Sequence, residues 1–190
     1  MSTVFFITHP EVVVDPDRPV PRWHLSPKGV ERMRAFAASA EMRAVRTIWA
    51  SDETKAIEAA GILAGVHGLP LAVLHELHEN DRSATGFLPP PEFERVADAF
   101  FASPDESVRG WERAADAQAR VVKAFETILA SEIAGDVAIV AHGGVGTLLL
   151  CHLCGAPITR DLDQPFQGHY WSCSLETREI RHRWRSIAPR

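Results

Sequence analysis

The sequence predicts a three-layer α/β sandwich, a mostly parallel sheet with helices on both faces. Three observations predict it. Short apolar runs without polar alternation recur at Val4–Ile7, Arg46–Ala50 and Asp136–Ala141, the pattern of strands buried on both faces. Segments with helical spacing lie between them. Strand and helix alternate through most of the chain, which calls for a parallel sheet covered on both sides.

The first strand ends at Thr8-His9-Pro10. Proline keeps His9 extended, so a helix cannot start there. Glu11–His24 carries three prolines and reads as a long loop, a length that usually signals function in a compact domain. Ser26 as N-cap and Pro27 at the first helical position start a helix to about Ala40. Arg46–Ala50 is a second buried strand, with Ser51 and Asp52 as cap candidates for a helix over Glu53–Val66. Gly68 and Pro70 end that helix, and Leu71–Leu74 is a short third strand. His75–Pro91 is a polar loop, Glu92–Ala102 a helix, and Gly110–Ile133 a longer one with an apolar stripe. Asp136–Ala141 is a fourth buried strand. It ends in His142-Gly143-Gly144, and an apolar helix follows to about Leu153. Tyr170–Trp184 reads as an antiparallel strand pair turning near Glu176–Arg178.

Composition narrows the function. The 190 residues are 46% hydrophobic and 24% charged, with a net charge of -5. This fits one domain spanning 1–190 with a sizeable core. No basic stripe is present, so a nucleic-acid partner is not expected. Arg178, Arg181, Arg183 and Arg185 read as the wet face of a strand. Cys151, Cys154 and Cys173 cannot form a complete disulfide set, which suits a reducing compartment. Cys151 and Cys154 read as core packing on an apolar helix. No membrane partner is expected, and with no leader segment in view the expected location is cytoplasmic. Trp23, Trp111 and Trp171 fit either a core or an interface, so the oligomeric state stays open.

Three strand ends share one feature. His9 follows the first strand, Lys55 lies in the first helical turn after the second, and His142 follows the fourth. Parallel strands bring all three to one sheet edge, beside helix N-termini that favour an anion. A cation in a first turn opposes the helix dipole, which either a bound phosphate or solvent screening would relieve. The loop His75–Asp81 adds Glu76, Glu79 and Asp81 as candidate general acids. No metal is expected there, because the His-Glu spacing is one residue short of a helical zinc motif. Neither Gly-x-Ser-x-Gly nor Gly-x-Gly-x-x-Gly occurs after a strand, and no cofactor is expected.

This arrangement resembles the histidine phosphatase superfamily, which includes the cofactor-dependent phosphoglycerate mutases. The resemblance runs in order along nearly the whole chain. Thr8-His9-Pro10 stands where that family has Arg-His-Gly. Leu25–Gly29 resembles its helix start, Ala50–Ala60 its Ser-x-x-x-Arg-Ala segment, Leu77-His78-Glu79 its acid motif, and Val137–Gly144 its second histidine with glycines. The resemblance implies a phosphoglycerate mutase-like fold and a metal-independent phosphatase acting on a small phosphorylated substrate. It implies His9 as nucleophile forming a phosphohistidine, and Glu79 as acid and then base. It also implies His142, Lys55, Thr8 and Gly143 around the phosphoryl oxygens. Thr8 and Lys55 replace two arginines of the family pattern, and lysine lacks the bidentate fork. Arg22 or Arg82 is the expected compensating cation, and Glu76 competes with Glu79 as the acid. The altered signature leaves an alternative, a degenerate member that binds a phosphorylated ligand or a protein without turnover.

Overall fold

The computed structural model describes residues 2–131 and 133–189. A six-stranded sheet runs in the order β3-β2-β4-β1-β5-β6. The strands are β1 (Thr3–Thr8), β2 (Val45–Ala50), β3 (Ala72–Val73), β4 (Asp136–Ala141), β5 (His169–Ser174) and β6 (Ile180–Ser186). β3, β2, β4 and β1 are parallel neighbours, and β5 and β6 complete the sheet antiparallel. The helices are α1 (Pro27–Ala37), α2 (Thr54–His67), α3 (Pro90–Ala102), α4 (Ala114–Leu129) and α5 (Gly143–Leu153).

β1 and β4 are central and almost wholly buried, so their runs need no polar alternation. Phe5 and Ile7 face α1 and α2, packing with Met33, Phe36 and Leu63. Val4 and Phe6 face α4 and α5, packing with Phe125, Leu149 and Trp171. The helix after β1 therefore covers one face and the helix after β4 the other. That divergence opens a crevice beyond the carboxyl ends of these two strands. α3 packs outside this sandwich, on Trp111 and Leu148.

Several boundaries differ from the sequence expectation for physical reasons. α1 starts as expected, with Ser26 Oγ accepting the Gly29 N–H at 3.1 Å, but ends at Ala37. The N-cap of α2 is Glu53, not Ser51 or Asp52; Ser51 Oγ instead accepts the Glu53 N–H. α4 begins only at Ala114, because Arg109 and Gly110 both take positive φ and break the run from Gly110. At its other end the expected helix reaches past Leu129 across Glu132, which lies outside the described residues. β2 is only half buried, with Arg46 exposed, since β3 is two residues long and covers only Trp49 and Ala50. Cys154 is exposed, whereas Cys151 and Cys173 are buried, so core packing holds for Cys151 but not for Cys154. Trp23, Trp111 and Trp171 are all core residues. Among the described residues, no helix is long and apolar enough to cross a membrane.

Candidate active site

Strand pairing puts Thr8 opposite Ala141, so His9 and His142 leave the sheet side by side. Their ring centroids are 5.3 Å apart, edge to face. His9 is anchored through its backbone. Its N–H donates to the Ala141 carbonyl at 3.1 Å, and its carbonyl accepts the Gly168 N–H at 3.1 Å. Its ring Nδ1 lies 2.9 Å from the Pro10 carbonyl. A carbonyl oxygen can only accept, so Nδ1 carries the proton and Nε2 keeps its lone pair. Burial, then the neighbouring His142 and Lys55, hold the His9 pKa well below 6.5. The ring is therefore neutral at pH 7, as a nitrogen nucleophile must be.

His142 is fully buried. Its Nε2 lies 2.8 Å from Ser51 Oγ and 3.5 Å from a Glu53 carboxylate oxygen. Its Nδ1 has no partner among the described residues. That nitrogen is thus available to hydrogen-bond a bound group. Burial pushes the His142 pKa below 6.5, and Glu53 only partly opposes this.

Lys55 is buried, so the solvent-screened reading does not hold, and its charge already has a partner within the protein. Its Nζ donates to the Glu53 carboxylate and to the Val20 carbonyl, the latter at 2.9 Å. Glu53 cancels the charge within the same helical turn. Burial would raise the Glu53 pKa, but the charges of His142 and Lys55 draw it well below the usual carboxylate range. Glu53 also accepts the Glu79 N–H at 3.0 Å, so one buried carboxylate links three site elements.

Of the two glutamates left open, Glu79 turns into the site and Glu76 is exposed. Glu79 accepts the N–H groups of Gly144 and Val145 at 3.0 Å each and that of Asn80 at 3.1 Å. Arg82 lies 3.5 Å from it. Burial raises the Glu79 pKa, but Arg82, His142 and these N–H donors outweigh it and hold the carboxylate ionised. A Cβ on Gly144 would fall 2.7 Å from this carboxylate, so a larger residue here would push Glu79 from its place. Arg120 holds the acid loop from α4, donating to the Glu76 and His78 carbonyls at 2.8 and 2.9 Å.

The two arginines proposed to compensate separate clearly. The Arg82 guanidinium lies over the rings of Phe93 and Trp111, at 5.1 and 5.5 Å, beside Glu79. Arg22 is exposed and makes no ion pair among the described residues. Thr8 is 1% exposed, and its hydroxyl is committed inside the protein. It donates to Gln164 Oε1 at 2.7 Å and accepts the His169 N–H at 3.0 Å. The expectation that Thr8 itself faces a phosphoryl oxygen is therefore corrected. Glu53, Ser51 and Gln164 escaped the sequence reading. Glu53 left one usable signal, a carboxylate two residues before a cation at a helix start. Gln164 left none. Among the described residues, no three His, Cys, Asp or Glu side chains cluster as metal ligands.

Comparisons with known proteins identify the family and the fold. The family model for the histidine phosphatase superfamily (branch 1) matches residues 18–185, a span that begins after Thr8-His9-Pro10. No curated protein matches the sequence significantly. A mycobacterial glucosyl-3-phosphoglycerate phosphatase superposes with a TM-score of 0.79 at 22% identity, covering 100% of both chains. Bacillus stearothermophilus YhfR gives 0.80 at 21% identity, covering 96% of this chain and 95% of its own. The alpha-ribazole phosphatase from Shigella flexneri gives 0.72 at 17%, covering 98% and 97%.

Proposed function

The chain belongs to the histidine phosphatase superfamily, and from that premise we propose that it hydrolyses a small phosphorylated compound through a phosphohistidine on His9. The observation that carries this reading is the Nδ1 hydrogen bond to Pro10, which leaves a neutral Nε2 lone pair beside His142. The named phosphatases that share the fold are consistent with it.

In the first step Nε2 forms a bond to phosphorus as the bond to the leaving oxygen breaks. The leaving oxygen takes the bond's electron pair and needs a proton. Glu79 is ionised at rest, so that proton comes from the substrate's own phosphate monoanion, second pKa about 6, relayed through Glu79. In the second step water attacks phosphorus, the N–P electron pair returns to Nε2, and the ionised Glu79 accepts the water proton and passes it to the departing phosphate. His142 Nδ1 meets an equatorial oxygen while Ser51 donates to Nε2, which fixes the proton on Nδ1. Arg82 and Lys55 contribute positive charge that Glu79 and Glu53 offset. No step draws on a metal.

One observation favours a second reading, binding without turnover. Two cations, the buried Lys55 and the half-buried Arg82, face two ionised carboxylates, Glu53 and Glu79, so the site offers no net positive charge. Phosphate release from an aryl phosphate with chelator present separates the readings. Activity that resists chelator and vanishes in His9→Ala supports hydrolysis. Stoichiometric phosphate binding with no release supports the second reading.

A further inference from the structure

Because the charges at the site cancel, neutral N–H donors must carry much of the recognition of a phosphoryl group. His142 Nδ1 is one. The first turn of α5 offers few others, since Glu79 occupies the Gly144 and Val145 N–H groups and the His142 carbonyl accepts the Gly146 N–H. The Gly143 N–H remains.

The Gln164 side chain packs against Gly143 on its Cα side. A side chain at Gly143 would collide with Gln164 Nε2. The other end of the same carboxamide is gripped by Thr8, the residue before His9, at 2.7 Å. The backbone of Gln164 is fixed as well. Its N–H donates to Asp163 at 2.7 Å, and Asp163 is tied to α5 through Thr147 at 2.9 Å. The carboxamide therefore bridges the ends of β1 and β4, with its acceptor filled and its donor facing the start of α5.

We propose that Gln164 Nε2 is a donor to the phosphoryl group, and that Thr8 is the positioning residue that aims it. This rests on the phosphoryl-site reading above. Threonine then replaces the family's signature arginine indirectly, by orienting a neutral donor from another loop. Preorganised donors of this kind are worth roughly 10²–10³ in rate.

The test is a double-mutant cycle over Thr8→Val and Gln164→Ala, read as kcat/KM on an aryl phosphate and as calorimetric affinity for inorganic phosphate. Thermal melts identify any variant that fails to fold. Gln164→Ala should lower kcat/KM and phosphate affinity at least tenfold. Thr8→Val should act in the same direction, Thr8→Ser should restore activity, and the double variant should be no worse than Gln164→Ala. Unchanged phosphate affinity in Gln164→Ala overturns the proposal. So do Thr8 and Gln164 effects that multiply. A wild-type protein that binds phosphate without releasing it tests Gln164 through affinity alone and counts only against hydrolysis. A wild-type protein that binds no phosphate sinks both readings.

Discussion

Two helices start within reach of His142, and they handle charge in opposite ways. α2 neutralises itself: Glu53 caps it, Lys55 sits in its first turn, and the two form a buried pair. α5 is neutralised from outside, because Glu79 arrives from a separate loop and occupies two of its first-turn N–H groups. An internal pair stays together when a ligand comes. A carboxylate from another loop can shift to take and give a proton. On the proposed reading α2 holds a fixed charge pair, and proton transfer falls to the loop carboxylate docked on α5.

The largest expected effect sharpens the α5 side. Glu79→Gln keeps the acceptor oxygen but cannot take up a proton, so kcat should fall by about 10²–10⁴ with the fold intact. A variant that loses only stability and keeps kcat would reduce Glu79 to a helix cap. The α2 side is broken by Glu53→Ala, which leaves the buried Lys55 uncompensated and should cost about 3–5 kcal/mol in urea unfolding. Replacing both, as Glu53→Leu with Lys55→Met, should recover most of that loss. If the double variant is no more stable than Glu53→Ala, the pair is not self-contained.

A smaller effect lies in the pH profile. If the leaving-group proton comes from the substrate, kcat/KM on an alkyl phosphate should fall about tenfold per pH unit above ~6. An aryl phosphate, whose leaving oxygen needs little protonation, should show a flatter limb. Parallel profiles would return the proton to Glu79. The smallest effect is on stability. His9 and His142 are held below their ordinary 6.5, so below that pH the unfolded chain binds protons that the folded chain refuses. Their contribution is complete above 6.5 and is lost as pH falls. Glu53, held below its ordinary 4.5, adds a contribution that is present above 4.5 and lost on further acidification. Melting temperature should therefore drop from pH 7 to pH 4, by roughly 2–4 °C per kcal/mol lost. A melting temperature that is flat or rises toward acid would contradict the burial of two neutral imidazoles.

The same contrast shows what the sequence makes legible. β1, β4 and the start of α5 are written locally: an apolar run, then a histidine, then glycines that allow close approach. The antiparallel tail and the Ser26-Pro27 start of α1 are equally local. Lys55 is visible as a cation at a helix start, but its meaning depends on Glu53 and Val20, which only folding brings to it. Glu53 looks like an ordinary first-turn carboxylate until His142 is placed 3.5 Å away. Thr8 reads as a lost arginine because its partner, Gln164, lies in a distant loop with no motif. Arg82 and Arg22 are indistinguishable as loop arginines; only folding sets Arg82 over the Phe93 and Trp111 rings beside Glu79 and leaves Arg22 exposed.

The central claim is that His9 Nε2 takes the phosphoryl group. Rapid quenching of a labelled aryl phosphate turnover under alkaline conditions, followed by peptide mapping, tests it directly. The account predicts an acid-labile phosphoryl group on His9, formed and lost at rates that support turnover, and absent from His9→Ala. A wild-type enzyme that turns over with no label on His9, or with label on another residue, would contradict it.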